Sequence, residues 1–527
     1  MCSRTSTTSK SLLIFLVSAS QYLCDNQSPG LQPFPLENFP SSVSVNFSSY
    51  ENWAGEVKTQ AWIAYPENAA QILELANWAR NASIKLRPSG NRHSWAPLTV
   101  AGNSEKALVV DTTRYLNKMG IISSKPGDSS FWAEPGLSVI SILAQLETAN
   151  LSLASFPAVG EISIGGVLAV GAHGLGIASQ GKPSGHTFGA LSNLVIELTA
   201  VVFDPISDSY ILKNFHRSDP ETKAFLINFG RSFITNITLR AGPLVQLNCE
   251  SVFQFSTEFA YAPTKAPDSM AWFHDIYSRV EIFYIPYYNL VWVLKFNMSA
   301  EKPPEAIHVT KPYNFGNNFF KPDFQNSLNI WGTPKDTLLF FHPDSERFSD
   351  GSWTIVTSQG NAQNVIHNSF RLFEEARTIF DNVSEYILEM RFVTVDDPSD
   401  VGIKGAESPG LGHFHPIEGR PDMNIVVVIE ITSTKIVTTP EGQMLLEFLT
   451  AYEKKLFKYF NDGEAIVRLE WAKGWGFSNK GPNTNAEILA GVKKLGKFGP
   501  LKYSVDILNK YDPFRVFTSK FTDFILE

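Results

Sequence analysis

Three features are scarce in this chain of 527 residues, and each scarcity excludes something. Cysteine occurs three times, at Cys2, Cys24 and Cys249, so a disulfide framework does not hold the fold, and at most one bridge is available once a leader is removed. Basic residues do not dominate. The net charge is −8, and no lysine and arginine cluster marks a nucleic-acid surface. After residue 24 no continuous apolar run reaches spanning length; Asn424 to Ile431 reads as a buried strand at most. Internal repeats and low-complexity tracts are absent as well, and so is a dinucleotide fingerprint of the G-x-G-x-x-G type after a strand. No metal-ligating set stands out.

What is present fits a large soluble enzyme. The length implies two domains, and 43% apolar residues permit large cores. Phenylalanine is abundant at 39 residues, read first as core and second as the wall of a lipophilic pocket. Lys10 precedes the short apolar stretch Ser11 to Val17 and the small residues Ser18, Ala19 and Ser20, the pattern of a secretory signal over residues 1–24. Sequons at Asn26, Asn46, Asn81, Asn150, Asn236, Asn297 and Asn382 agree with a secreted or lumenal glycoprotein, although Asn236 sits in an expected core strand.

Two stretches carry chemistry. A helix-like segment (Asn68 to Arg80) and a short strand (Ile84 to Arg87) lead into Arg87-Pro-Ser-Gly-Asn-Arg-His-Ser-Trp95. A glycine turn after a strand can aim backbone N–H groups at a phosphate, with His93 held at its end. Further on, Ser155 to Gly176 packs glycines among small and β-branched residues without reading as a linker, as needed where backbone approaches a ligand.

Together the two stretches resemble the FAD domain of the vanillyl-alcohol-oxidase family, the PCMH-type domain. Leu108 to Asp111, Phe131 to Gly136 and Gly230 to Leu239 continue the resemblance in order. The implied cofactor is FAD, bound by Pro88, Ser89, Gly90, Asn91, Arg92, His93 and Ser94 in the first turn. The second segment supplies Pro157, Gly160, Ser163, Gly165, Gly166, His173 and Gly174, and the closing strand supplies Ile234. His93 falls on the position that bonds the flavin covalently in some members. Asn52 to Glu56, Gly90 to Leu98, Arg279 to Pro286 and Val467 to Trp475 are similar to the covalent-FAD cholesterol oxidases, and Asp512 to Ser519 matches a tail of the wider family.

The expected fold is therefore α+β with two domains. A signal (1–24) and an arm (25–50) precede a PCMH-type FAD domain (51–242). An antiparallel-sheet substrate domain backed by helices (243–465) follows, and a C-terminal segment (466–527) returns to the FAD domain. Strand patterns fall at Glu281 to Phe296, Glu385 to Val395 and Met423 to Thr432, and amphipathic helices at Asn364 to Phe380 and Glu441 to Phe460.

Oxidising an alcohol with a flavin needs a group that takes the hydroxyl proton and positive charge near the developing anion. Strand residues two apart share a face, so Glu389 and Arg391 project together from an otherwise apolar strand. Such a pair is either used or is a partly buried salt bridge. The resemblance favours use, and it adds Lys473, Glu470 and Glu281 as further catalytic candidates. The implied reaction takes a hydride from a small-molecule alcohol and passes the electrons to O2, giving H2O2. A sterol is the first substrate, with contact to lipid surfaces, and a carboxylate is then available to move the Δ5 double bond. An aldonolactone or polyol oxidase is the alternative. A secreted flavin-binding protein without catalysis is the reading of another class.

Overall fold

The computed structural model describes residues 33–526 except 101–105, 178–187, 264–265, 267–268, 271–272, 274–275, 314–326, 340–344, 381–385, 479–481 and 495–500. The signal, the sequons at Asn26 and Asn382, Cys2 and Cys24 lie outside the described residues. No described helix is long and apolar enough to cross a membrane.

The architecture is α+β, with helices and mostly antiparallel sheets. In the first half, Asn68 caps the helix Ala69–Ala82 by accepting a hydrogen bond from the Gln71 N–H. The helix buries Ile72, Leu75, Ala76 and Ala79 on one stripe and returns the chain to the strand Lys85–Ser89. That strand pairs in parallel with Ala107–Asp111, which pairs in parallel with Lys58–Tyr65. A five-stranded sheet lies beside it and includes Ser130–Ala133, Val195–Asp204 and Phe233–Arg240.

The second half is dominated by a ten-stranded sheet. Its centre runs Leu247–Phe255, Leu290–Met298, Arg279–Ile285, Tyr386–Thr394, Ile425–Ser433, Ser349–Thr357, Ala465–Leu469, each pair antiparallel. The helices Ala362–Arg377 and Gln443–Tyr459 cover one face. Tyr284 packs on Phe370 and Phe373, and Tyr386 on Phe448. Charged side chains are therefore collected on the opposite face. The stretch Glu281 to Phe296 is two strands rather than one, because Pro286–Tyr288 turns the chain and Asn289 adopts a left-handed φ of 53°.

The tail docks on the first turn. Asp512 accepts hydrogen bonds from the Val516 and Phe517 N–H groups, and the Phe517 carbonyl accepts from Arg87. Leu86 N–H donates to the Val516 carbonyl at 2.8 Å.

Candidate active site

The two glycine segments meet. A Cβ built on Gly90 would lie 1.7 Å from the Ser163 hydroxyl oxygen, so only glycine allows this approach. Arg87 is the buried clamp beneath the turn. Its guanidinium donates to the carbonyls of Leu98, Thr99, Phe229 and Gly230 as well as Phe517. Asn52 holds the turn from outside, donating to the Ser94 carbonyl at 3.0 Å, while Trp53 N–H donates to Arg92. Arg92 takes a left-handed φ of 61°, which swings His93 onto the Trp53 ring at 4.6 Å, nearly parallel. Trp95 meets the His93 ring edge-on at 5.5 Å and packs against Trp53 at 5.7 Å. Burial among these rings, and then the charge of Lys473, lower the His93 pKa to about 4, so the imidazole is neutral at pH 7.

A cleft enclosing about 1680 Å³, its open mouth included, runs between this turn and the charged face of the large sheet. Pro88 to Ser94, Pro157, Ser163, Gly165, Gly166, His173 and Ile234 line it from one side; Glu389, Arg391, Glu470 and Lys473 line it from the other.

Gly165 and Gly166 differ in what surrounds them. A Cβ on Gly165 would stand 2.7 Å from the Pro135 Cβ and 2.9 Å from its carbonyl oxygen, whereas Gly166 would meet only Ser163, at 3.2 Å, and faces the open cleft. Gly165→Ala is therefore expected to destabilise the fold, by about 1–3 kcal/mol for an overpacked site. A thermal melt checks this, and an unchanged melting temperature would show that the Pro135 contact yields freely.

Three expected residues do not line the cleft. Gly160 packs against Ile140 and Leu339, where a Cβ would approach to 2.9 Å. Gly174 lies against the Phe156 backbone, 2.4 Å from its oxygen by the same construction, and its carbonyl accepts from the His173 ring at 2.8 Å. Glu281 lies on the charged face opposite Arg391 in strand register but behind the cleft wall, 1% exposed. Burial, then the charge on Glu389, push its carboxyl well above the ordinary range.

The charged wall is a network. Arg391 Nε lies 2.9 Å from Glu389 Oε1, and Arg391 Nη2 pairs with Glu430. Lys473 pairs with Glu430 and, at 2.5 Å, with Asp350. Lys473 also lies 4.5 Å from the Trp95 ring centre, joining this network to the His93 turn. Ser352 donates to Glu470 at 2.5 Å. Burial opposes ionisation of Glu470, but His173, Lys473 and Arg391 outweigh it and hold the carboxyl well below the ordinary range. Burial raises Asp350 to about 6 against the pull of Lys473.

Glu430, Asp350 and Thr432 escaped the sequence reading. Glu430 interrupts an apolar run just as Glu389 does, which was the available signal.

The residues fit an FAD. Gly166 leaves room for a ligand against backbone, the neutral His93 points into a ring-lined niche, and Ser232 lines the cleft with a buried hydroxyl that has no partner among the described residues. Residues 61–191 match the model of an FAD-binding domain, and residues 322–527 match that of the cholesterol oxidase substrate-binding domain. The fold is similar to a solvent-stable cholesterol oxidase (28% identity, TM-score 0.86) and to cholesterol oxidase from B. sterolicum (28% identity, TM-score 0.87). Each match covers 94% of this chain and 100% of the other.

The chain belongs to the vanillyl-alcohol-oxidase family. It is an FAD-dependent oxidoreductase with a cholesterol-oxidase-like substrate domain for a small molecule. Two curated proteins from Arabidopsis thaliana, the probable L-gulonolactone oxidases 4 and 1, are each 22% identical over 204 and 203 residues, 38% of this chain. The match spans about a third of their length (33% and 32%).

Proposed function

We propose that this protein is a secreted alcohol oxidase that takes a hydride from the hydroxyl carbon of a sterol, with FAD bonded through His93. When bound, the flavin accepts the hydride and hands the electrons to O2, giving H2O2. Glu389 takes the hydroxyl proton. Arg391 holds Glu389 in place and offers positive charge to the developing oxyanion. Glu281, its carboxyl pushed up by burial behind Glu389, responds to the charge that Glu389 gains or loses. Lys473, paired as it is, places a cation beside the Trp95–His93 niche, and Glu470 faces the His173 imidazole at 3.7 Å.

The observation that carries the sterol reading is the row of side chains opposite Glu389. Strand register sets Phe283 against Glu389, Trp292 against Phe283 and Phe253 against Trp292, all on the cleft face of the sheet. The Phe253 and Trp292 rings stack at 5.7 Å, and Phe283 sits 5.7 Å from Trp292. The three do not line the cleft itself but continue its wall along the same sheet face, an apolar extension that suits a ring system and offers little to a polyol. The L-gulonolactone oxidases among the relatives favour the polyol or aldonolactone alternative. Screening sterols and polyols for H2O2 release decides: activity on polyols alone sets the sterol reading aside.

The neutral imidazole supports the covalent reading, since its free nitrogen lone pair is what a bond to the flavin uses. His93→Ala is expected to bind FAD but to release it on acid precipitation, while the unaltered protein keeps its colour in the pellet. Complete release from the unaltered protein would remove the covalent assignment. Secretion and glycosylation are supported by the exposed sequons Asn46, Asn81 and Asn150. Release of a mature chain lacking residues 1–24 into culture medium, shifted by endoglycosidase, tests both.

A further inference from the structure

We propose that Glu430 is a positioning residue of this site, binding Arg391 and Lys473 into one charged unit over the cleft. The inference rests on the flavin reading above and adds a residue to it.

Glu430 is 4% exposed, lines the cleft and stands opposite Glu389 in the register of the two central strands. Its two oxygens are divided between the two cations, one taking Arg391 Nη2 and the other Lys473 Nζ. The cations come from different segments, the 386–394 strand and the loop after the 465–469 strand. Like charges have no attraction of their own, so the carboxylate between them sets their separation.

Charge satisfaction alone does not explain Glu430. Arg391 already has Glu389 at 2.9 Å, and Lys473 already has Asp350 at 2.5 Å. Each cation would keep a carboxylate without Glu430. What would be lost is the link between them. A carboxylate in the middle of Ile-Val-Val-Val-Ile-Glu-Ile431 carries a desolvation cost, which that link accounts for. The link also adds one negative charge beside the place where reduction adds another, so Glu430 tempers the stabilisation that the two cations give a reduced flavin.

Two variants of the full-length holoprotein test this. Glu430→Gln removes the charge and keeps the shape. Its flavin midpoint potential is expected to rise. Anaerobic reduction by the best alcohol found is nevertheless expected to slow by roughly 10²-fold, the cost of ångström-scale misplacement. Glu430→Asp keeps the charge but shortens the reach, so one cation is released. Its potential is expected to stay put while reduction slows and kcat, rather than KM, changes. If Glu430→Gln does not accumulate, the aspartate variant decides alone.

Variants that lose flavin content or thermal stability while reducing at the unaltered rate per bound flavin overturn the proposal, as does an unchanged potential in Glu430→Gln. A colourless unaltered protein would instead overturn the flavin reading itself.

Discussion

Replacing Glu389 by glutamine is expected to slow flavin reduction by roughly 10²-fold or more while flavin content and melting temperature move little. The geometry gives the reason for the second half. Arg391 keeps Glu430 when Glu389 loses its charge, so no buried cation is stranded. Burial still holds the Glu281 carboxyl up, but the part of that shift due to the Glu389 charge disappears. Changing Arg391 as well is expected to add little, because groups that act on one proton and one developing charge are not additive. A purely structural pair predicts the reverse. Turnover per folded molecule would then be unchanged, and any loss would fall on stability, softened because Arg391 keeps Glu430. Stopped-flow reduction with a thermal melt alongside separates the two. Fast reduction with a lowered melting temperature would move the proton-accepting role to another carboxylate of the wall.

Gly166→Val is expected to yield a folded protein without flavin. The Cβ position at Gly166 is open to the cleft, so added methyl groups occupy ligand space rather than protein space. The contrast with Gly165 makes the prediction sharp. There the obstacle is Pro135, and a side chain damages packing. The same substitution type, one residue apart, should therefore separate folding from cofactor binding. Absorbance ratios of purified Gly166→Val, with circular dichroism for the fold, check it. A yellow, active Gly166→Val variant would mean that this backbone does not approach the cofactor.

Much of this site could be read from residues alone, for reasons that can be named. Glu389 and Arg391 stand out because a strand's period of two puts both on one face of an apolar segment. The turn around His93 stands out because glycine, serine and asparagine there serve backbone geometry rather than packing. Glu430 carries the same local signal as Glu389, yet its importance lies in strand register, which no local pattern displays. Asp350 reads as an ordinary polar residue until the Lys473 loop folds over it. Gly160, Gly165, Gly166 and Gly174 look alike as letters. Only the packed neighbours distinguish Gly166, which faces the cleft, from glycines that make room for Ile140, Pro135 and Phe156. The aromatic row beginning at Phe283 was hidden in the same way, since its members come from three strands.

The most direct test of the whole account is anaerobic mixing of the purified protein with a 3β-hydroxysterol, followed in the visible range. The account predicts a flavin spectrum that bleaches on mixing, recovers when O2 is admitted and yields one H2O2 per sterol oxidised. A flavin that bleaches with an aldonolactone or polyol but stays oxidised with every sterol would contradict it.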